Sequence, residues 1–219
     1  MKRLQFYFVF AVLISLFLLF SCSQSAPEIK YGALELVYYE NGGRPAERLT
    51  FFILPHDNDG FEDLDDLWLY HDWEGLSWHL SSKDWLKENA ENDTWIGSRA
   101  IAMEDGNTLP RGQYRAVLID KGGNRTERLL TFDAPPQSGR PFPRLIISGS
   151  MYRIESDYTE QNLVVFDNEG NYLVTVIPPS TEGTVSELGL PSSAESLALW
   201  ARDPARSVSA FTDIVPLRE

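Results

Sequence analysis

From Lys30 onward, apolar and polar residues alternate with a period of two, the spacing that sends successive side chains to opposite faces of a strand. Ala33-Leu34-Glu35-Leu36-Val37-Tyr38-Tyr39 predicts a first strand, ended by Asn41-Gly42-Gly43, residues that tolerate positive φ. Leu49 to Leu54 predicts a second, stopped by Pro55, and Leu67 to Tyr70 and Leu76 to Leu80 predict the next two. Ser81 to Glu91 predicts a short helix, because Ser81 and Asp84 stand at capping-box spacing. The strand pattern resumes over Thr94 to Met103 and turns at Asp105-Gly106-Asn107.

The next stretch is the most diagnostic. Leu109-Pro110-Arg111-Gly112-Gln113-Tyr114 leads into the strand Arg115 to Asp120, then the turn Lys121-Gly122-Gly123-Asn124 and the strand Thr126 to Phe132. This run resembles the last hairpin of immunoglobulin-like and fibronectin-III-like β-sandwiches. The resemblance implies that Tyr114 is a tyrosine-corner residue, its hydroxyl bonded to backbone upstream, with a structural role.

Ala134 to Pro143 has four prolines in ten residues and no periodicity, the composition of a semi-rigid spacer. Beyond it, short strands are predicted at Leu145 to Ile147, Tyr152 to Ile154, Leu163 to Phe166 and Tyr172 to Ile177, the last two joined by Asn168-Glu169-Gly170-Asn171. Ser196 to Arg202 and Ser207 to Ile214 predict another hairpin around Asp203-Pro204. Closely spaced strands without a long helix predict an all-β chain. The expected organisation is two small immunoglobulin-like β-sandwiches in tandem, residues 30–134 and 144–219, with 135–143 as the linker.

The apolar run at the other end has a different meaning. Lys2 and Arg3 precede Phe6 to Phe20, which is interrupted only by Ser15, and Ser21 and Cys22 follow. Charge, apolar core and small-residue exit in that order make residues 1–21 an export signal. Leu19-Phe20-Ser21-Cys22 resembles the lipobox of bacterial lipoproteins, with Phe20 where the usual box has a smaller residue, a broadened form known among spirochaetes. The resemblance implies an acylated Cys22 as the mature N-terminus, followed by a tether over residues 22–29. Cys22 is the only cysteine in the chain, so an exported protein has no disulfide to make with it. Ser23 after it implies, by resemblance to lipoprotein sorting, the outer membrane.

Charge narrows the partners. The full chain carries −13; without Lys2 and Arg3, 17 basic residues stand against 32 acidic ones, giving −15. That balance argues against nucleic acid and leaves the lipid as the attachment to the membrane. Apolar residues at 43% and aromatics at 12% are enough for a packed core.

Three constellations offer candidate chemistry. The acidic loop Asp57 to Asp66 offers Asp57, Asp59, Asp63 and Asp66 as weak calcium ligands. Its frame puts Pro55 where the first acidic ligand of a calcium loop belongs, so a solvated turn and no tight site are expected. His56, His71 and His79 lie close in sequence without any zinc-ligand spacing, and are expected to be structural or surface residues. Five of the six tryptophans, Trp68, Trp73, Trp78, Trp85 and Trp95, cluster in sequence and are candidates for a binding surface, with the core as the alternative. No Gly-x-Ser-x-Gly or phosphate-binding glycine loop occurs, and no cofactor is expected. The expected function is non-enzymatic binding or scaffolding of an envelope protein or glycan. A carbohydrate-binding module built on the tryptophans is one alternative, and a small hydrolase with two facing carboxylates another.

Overall fold

The computed structural model describes residues 25–41, 44–90, 92–135 and 141–218. The export signal, Cys22, Ser23, the glycines of the first turn and residues 136–140 of the proline-rich stretch lie outside the described residues.

Sixteen strands carry the described chain. The first half holds β1 (Glu28–Asn41), β2 (Arg44–His56), β3 (Leu64–His71), β4 (Leu76–Ser81), β5 (Leu86–Ala90), β6 (Asp93–Ile101), β7 (Gly112–Asp120) and β8 (Arg125–Phe132). The second half holds β9 (Arg144–Ser148), β10 (Met151–Glu155), β11 (Glu160–Phe166), β12 (Tyr172–Val176), β13 (Glu182–Thr184), β14 (Ser196–Asp203), β15 (Val208–Phe211) and β16 (Val215–Pro216). Three short 3-10 segments are the only helical turns among the described residues. No helix there is long and apolar enough to cross a membrane.

The strands form one long sheet and two short ones. The nine-stranded sheet runs β12-β11-β14-β15-β1-β2-β6-β5, with β16 paired to β14; the others run β4-β3-β7-β8 and β13-β10-β9. Every pairing is antiparallel except one: β1 and β15 run parallel, with Leu36 opposite Val208 and Tyr39 opposite Phe211. The chain is all-β and sandwich-like, as expected. Each half has its own second layer, but the halves share the first, because the β1–β15 ladder joins them into a single sheet. Two tandem sandwiches connected through a spacer alone would have no such ladder.

Alternation along the strands explains which face became core. In β1, Leu36 and Tyr38 are buried while Glu35, Val37 and Tyr39 between them are half-exposed. Leu49, Phe51 and Ile53 of β2 and Ile96 of β6 continue the buried face and pack with Leu67, Leu69, Tyr114, Leu118 and Phe132 of the facing sheet. In the second half Leu163, Val165, Leu197, Leu199, Val208 and Ala210 do the same with Tyr152 and Ile154. Each such large side chain contributes about 1.5–3 kcal/mol, and the core is continuous through both halves. Tyr114 is fully buried and its hydroxyl donates to the Pro110 carbonyl at 2.8 Å, the tyrosine-corner bond. Beside it, Glu47 of β2 accepts two bonds from Arg111 at 2.9 Å and one from the Leu109 amide, and Arg111 also donates to the Ala134 carbonyl.

The helix expected over Ser81 to Glu91 is absent. The Ser81 hydroxyl does donate to Asp84, but the amides of Asp84 and Trp85 both bond to the Ser81 carbonyl, which closes a turn. Leu86 to Ala90 then pair with β6 as the edge strand of the long sheet. A helix this short gains few internal hydrogen bonds for the cost of nucleating it, whereas the ladder of β6 is already in place.

Candidate functional site

The outer face of the long sheet carries a trough enclosing about 750 Å³, within the size range of small-molecule sites. Its floor follows from register. Trp200 of β14 stands directly opposite Phe211 of β15, and Phe211 stands opposite Tyr39 of β1 across the parallel ladder. Three rings thus occupy adjacent strands as a row, all pointing away from the core because their neighbours Ala201, Ala210 and Tyr38 point into it. One step along the same strands, Arg202 pairs with Ser209 and Ser209 with Val37, giving a second, more polar row.

Charged groups frame these rows. The Arg48 guanidinium lies 4.0 Å from the centre of the Tyr39 ring, and that of Arg202 lies 4.6 Å from the Trp200 ring. Arg202 also pairs with Glu160 at 3.3 Å, and Arg99 with Glu88 at 2.8 Å. Such cation–π contacts hold the rings and the guanidinium planes in fixed mutual orientation. Among the described residues, two polar atoms beneath the trough have no hydrogen-bond partner: Oγ of Ser209, whose residue is 0% exposed, and Nε of Arg202. A buried polar group without a hydrogen bond is unfavourable, and both atoms are sealed beneath the side chains around them.

The tryptophans expected to form a surface separate. Trp85 is in the core, and Trp78 packs against it with its indole nitrogen donating to the Ala102 carbonyl at 3.0 Å. Trp68 lies on the outer face of the β4-β3-β7-β8 sheet, stacked between His79 at 4.2 Å and Tyr70 at 5.7 Å. Trp73 projects from the β3–β4 turn, 92% exposed, and Trp95 is half-buried on β6 opposite Glu88. Among the described residues, the tryptophan that lines the trough is the sixth, Trp200.

The histidines are also apart. His71 is buried against the Tyr114 ring and faces the Arg111 carbonyl, His79 pairs with Asp66 at 2.6 Å, and His56 is exposed at the end of β2. Of the four weak calcium candidates, Asp57 and Asp63 come together, joined by Asp120 of β7, with ligand oxygens within 4.8 Å of one another. Asp59 instead accepts from the Ser25 amide and hydroxyl, and Asp66 is taken by His79. Desolvation, followed by the charges of Asp120, Asp57 and Asp59, pushes the Asp63 carboxyl above its ordinary range. Each of the three carboxylates brings one oxygen to the cluster, short of the six to eight that calcium takes.

No known protein family matches the chain by sequence, and no curated protein does. Among solved structures, the chain is similar to Tp47, the 47-kilodalton lipoprotein of Treponema pallidum, at 14% identity and a TM-score of 0.39, over 90% of this chain and 53% of that one. It is also similar to dimeric latent PorU of Porphyromonas gingivalis, at 12% identity and a TM-score of 0.33, over 89% of this chain and 20% of that one. The chain spans about half the length of the first and a fifth of the second.

The trough was hidden in sequence although its strands were not. Alternation marks Trp200 and Arg202 as sharing a face, and likewise Ser209 and Phe211. Which residues of β1 lie beside them is a matter of pairing between strands about 170 positions apart, and no local signal carries it.

Proposed function

We propose that this chain is a non-enzymatic binding module of the bacterial cell envelope, anchored at the outer membrane through acylated Cys22, with the trough on its long sheet as the binding site. The observation that carries the reading is the aromatic row Trp200–Phe211–Tyr39, half-exposed on the outer sheet face and lining the trough among charged side chains. Flat apolar rings combined with a few convergent polar groups are what ligand sites are made of. Binding rather than catalysis is the reading adopted for the trough; of the carboxylates near it, Glu88 and Glu160 are each paired with an arginine. The lipobox-like Leu19 to Cys22 and the lone cysteine support the anchor.

The test uses detergent-solubilised full-length protein on beads, exposed to solubilised envelope material of the native cell. Wild-type beads retain an envelope component that Trp200→Ala beads do not, the two proteins having the same melting temperature to within a few degrees. Equal retention by both would remove the trough from the binding function. For the anchor, Cys22→Ser moves the protein out of the detergent phase or leaves an unprocessed precursor; normal processing with detergent partitioning would sink that part.

A further inference from the structure

We infer that the open edge of β12, a site apart from the trough, takes an extended protein segment of alternating apolar and basic residues as an added strand of the long sheet. β12 ends that sheet and, among the described residues, pairs with β11 alone, so every second residue turns its N–H and C=O away from the sheet. Sheets blunt such edges with charged side chains. The other terminal strands follow that rule: β5 carries Lys87 and Glu88, β8 Glu127 and Arg128, β9 Arg144 and β13 Glu182, while β4 carries His79 paired with Asp66. β12 does not. Tyr172 to Val176 and the following Ile177 hold no charged or histidine side chain, and Tyr172 and Ile177 are 61% and 78% exposed. The bulge of the β11–β12 pair lies at the Tyr172 end and Pro178 follows Ile177, so the stretch between them is open to pairing. Leu173, Val174 and Val176 are partly buried against the core, and a strand laid beside them completes their cover. Past Ile177, a cleft of about 510 Å³ lined by Ile154, Gln161, Pro178 and Pro179 has room for a side chain of the same segment.

Charge selects the partner. Residues 149–195, which hold β10 to β13 and their turns, contain eight acidic residues and one basic residue, Arg153, itself paired with Glu155. Asp167 and Glu169 stand in the turn that leads into β12, and hydrogen bonds from Asn171 hold the Asp167 carboxyl below the usual carboxylate range. A segment whose apolar residues alternate with Lys or Arg meets the uncharged edge and its acidic surroundings together. A second copy of this chain fits less well, because it brings the same acidic surroundings. Successive pairings also make β12 run opposite to β1, so an antiparallel β12–β12 pair inverts the second copy. That sets the two Glu28 ends apart by at least the length of β1, about 45 Å, whereas residues 22–28 reach about 25 Å at most. Two copies anchored through Cys22 in one membrane therefore do not form it.

The probe is an octapeptide in which lysine alternates with valine and threonine, long enough to span Tyr172–Ile177. It is added at about 1 mM, a concentration that fills even weak sites, to detergent-solubilised full-length protein, and amide hydrogen exchange is followed by mass spectrometry. Exchange over Tyr172–Ile177 is expected to slow about threefold or more, because the added strand's hydrogen bonds protect the outward amides. Exchange over the charged edge Leu86–Ala90 stays as it was. Two control peptides slow neither edge: the same peptide methylated at every backbone amide, which keeps its charge but cannot lie against a strand, and a version with glutamate in place of lysine, which keeps its backbone. No slowing at Tyr172–Ile177, equal slowing at both edges, or slowing that the methylated peptide reproduces overturns the inference. So does equal slowing by the glutamate peptide, which removes the basic partner. Protection of Tyr172–Ile177 that grows with protein concentration in the absence of peptide gives the edge to a second copy and overturns it too.

Discussion

At the scale of single residues, burial decides which groups matter to stability and which are available for function. Tyr114 spends its hydroxyl on Pro110 inside the core, so Tyr114→Phe is expected to cost about 1–3 kcal/mol, the range for stranding a buried backbone acceptor. Chemical denaturation checks this, and wild-type stability in the mutant would remove the corner bond from the account. Asp63 sits in the opposite position, with one carboxylate oxygen buried and unpartnered beside Asp57 and Asp120. Desolvation and the neighbouring carboxylates hold its carboxyl above the ordinary carboxylate range, so the fold binds that proton more tightly than the unfolded chain does. Its contribution to stability is therefore full below the unfolded value and is lost as pH rises through the folded one. Asp63→Asn is expected to melt higher than wild type at neutral pH, with the gap closing as pH falls into the range where wild type is itself protonated. A gap that widens toward acid would reverse the sign of the effect. Calcium at micromolar concentration is expected to leave wild-type melting unchanged, because the cluster offers too few oxygens for tight binding.

At the scale of elements, hairpins were legible wherever a turn signal and alternation agreed. Asp120, Asn124 and the glycines between them specify the β7–β8 turn locally: Asn124 donates to the Asp120 carboxylate from both its amide at 2.8 Å and its side chain at 2.9 Å. The residues after Ser81 misled because a Ser-x-x-Asp spacing serves both a helix start and a tight turn. What decided between them was the free edge of β6, which lies outside the segment. The same strand carries a constraint of close approach. A Cβ at Gly97 would run into the Phe51 carbonyl and lie 2.7 Å from the Phe52 Cα, and these are backbone atoms that do not move aside. Gly97→Ala is expected to destabilise by about 3 kcal/mol or more, at or beyond the upper end of overpacking costs. A loss below about 0.5 kcal/mol, the size of an ordinary surface change, would mean that β2 and β6 separate more easily than their pairing implies.

At the scale of the whole molecule, the parallel β1–β15 ladder sets behaviour that a pair of linked domains would not show. Proteolysis within Ala134–Pro143 is expected to cut the chain, since proline-rich stretches pair poorly with neighbouring strands. The two fragments are then expected to stay together on gel filtration and to part only in denaturant, because the ladder and the continuous core hold them. Fragments that elute separately without denaturant would show that the ladder contributes little. The same junction builds the trough, so dissociation of the halves is expected to abolish binding along with it.

What the sequence determined by itself was local: most of the strands, many of their ends, and the inward and outward sides of each, with the tyrosine corner implied by the resemblance to immunoglobulin-like hairpins. The strands and their sides follow from a two-residue period and from turn chemistry, both readable within a window of a few positions. The tertiary structure alone decided that Leu86 to Ala90 became an edge strand, that Asp120 joined Asp57 and Asp63, and that Tyr39 came to lie beside Phe211. Alternation says that a strand has an apolar face but is the same for every partner and every even shift of register. The choice among partners is made by how the whole core packs, and so the aromatic row exists only in the folded molecule.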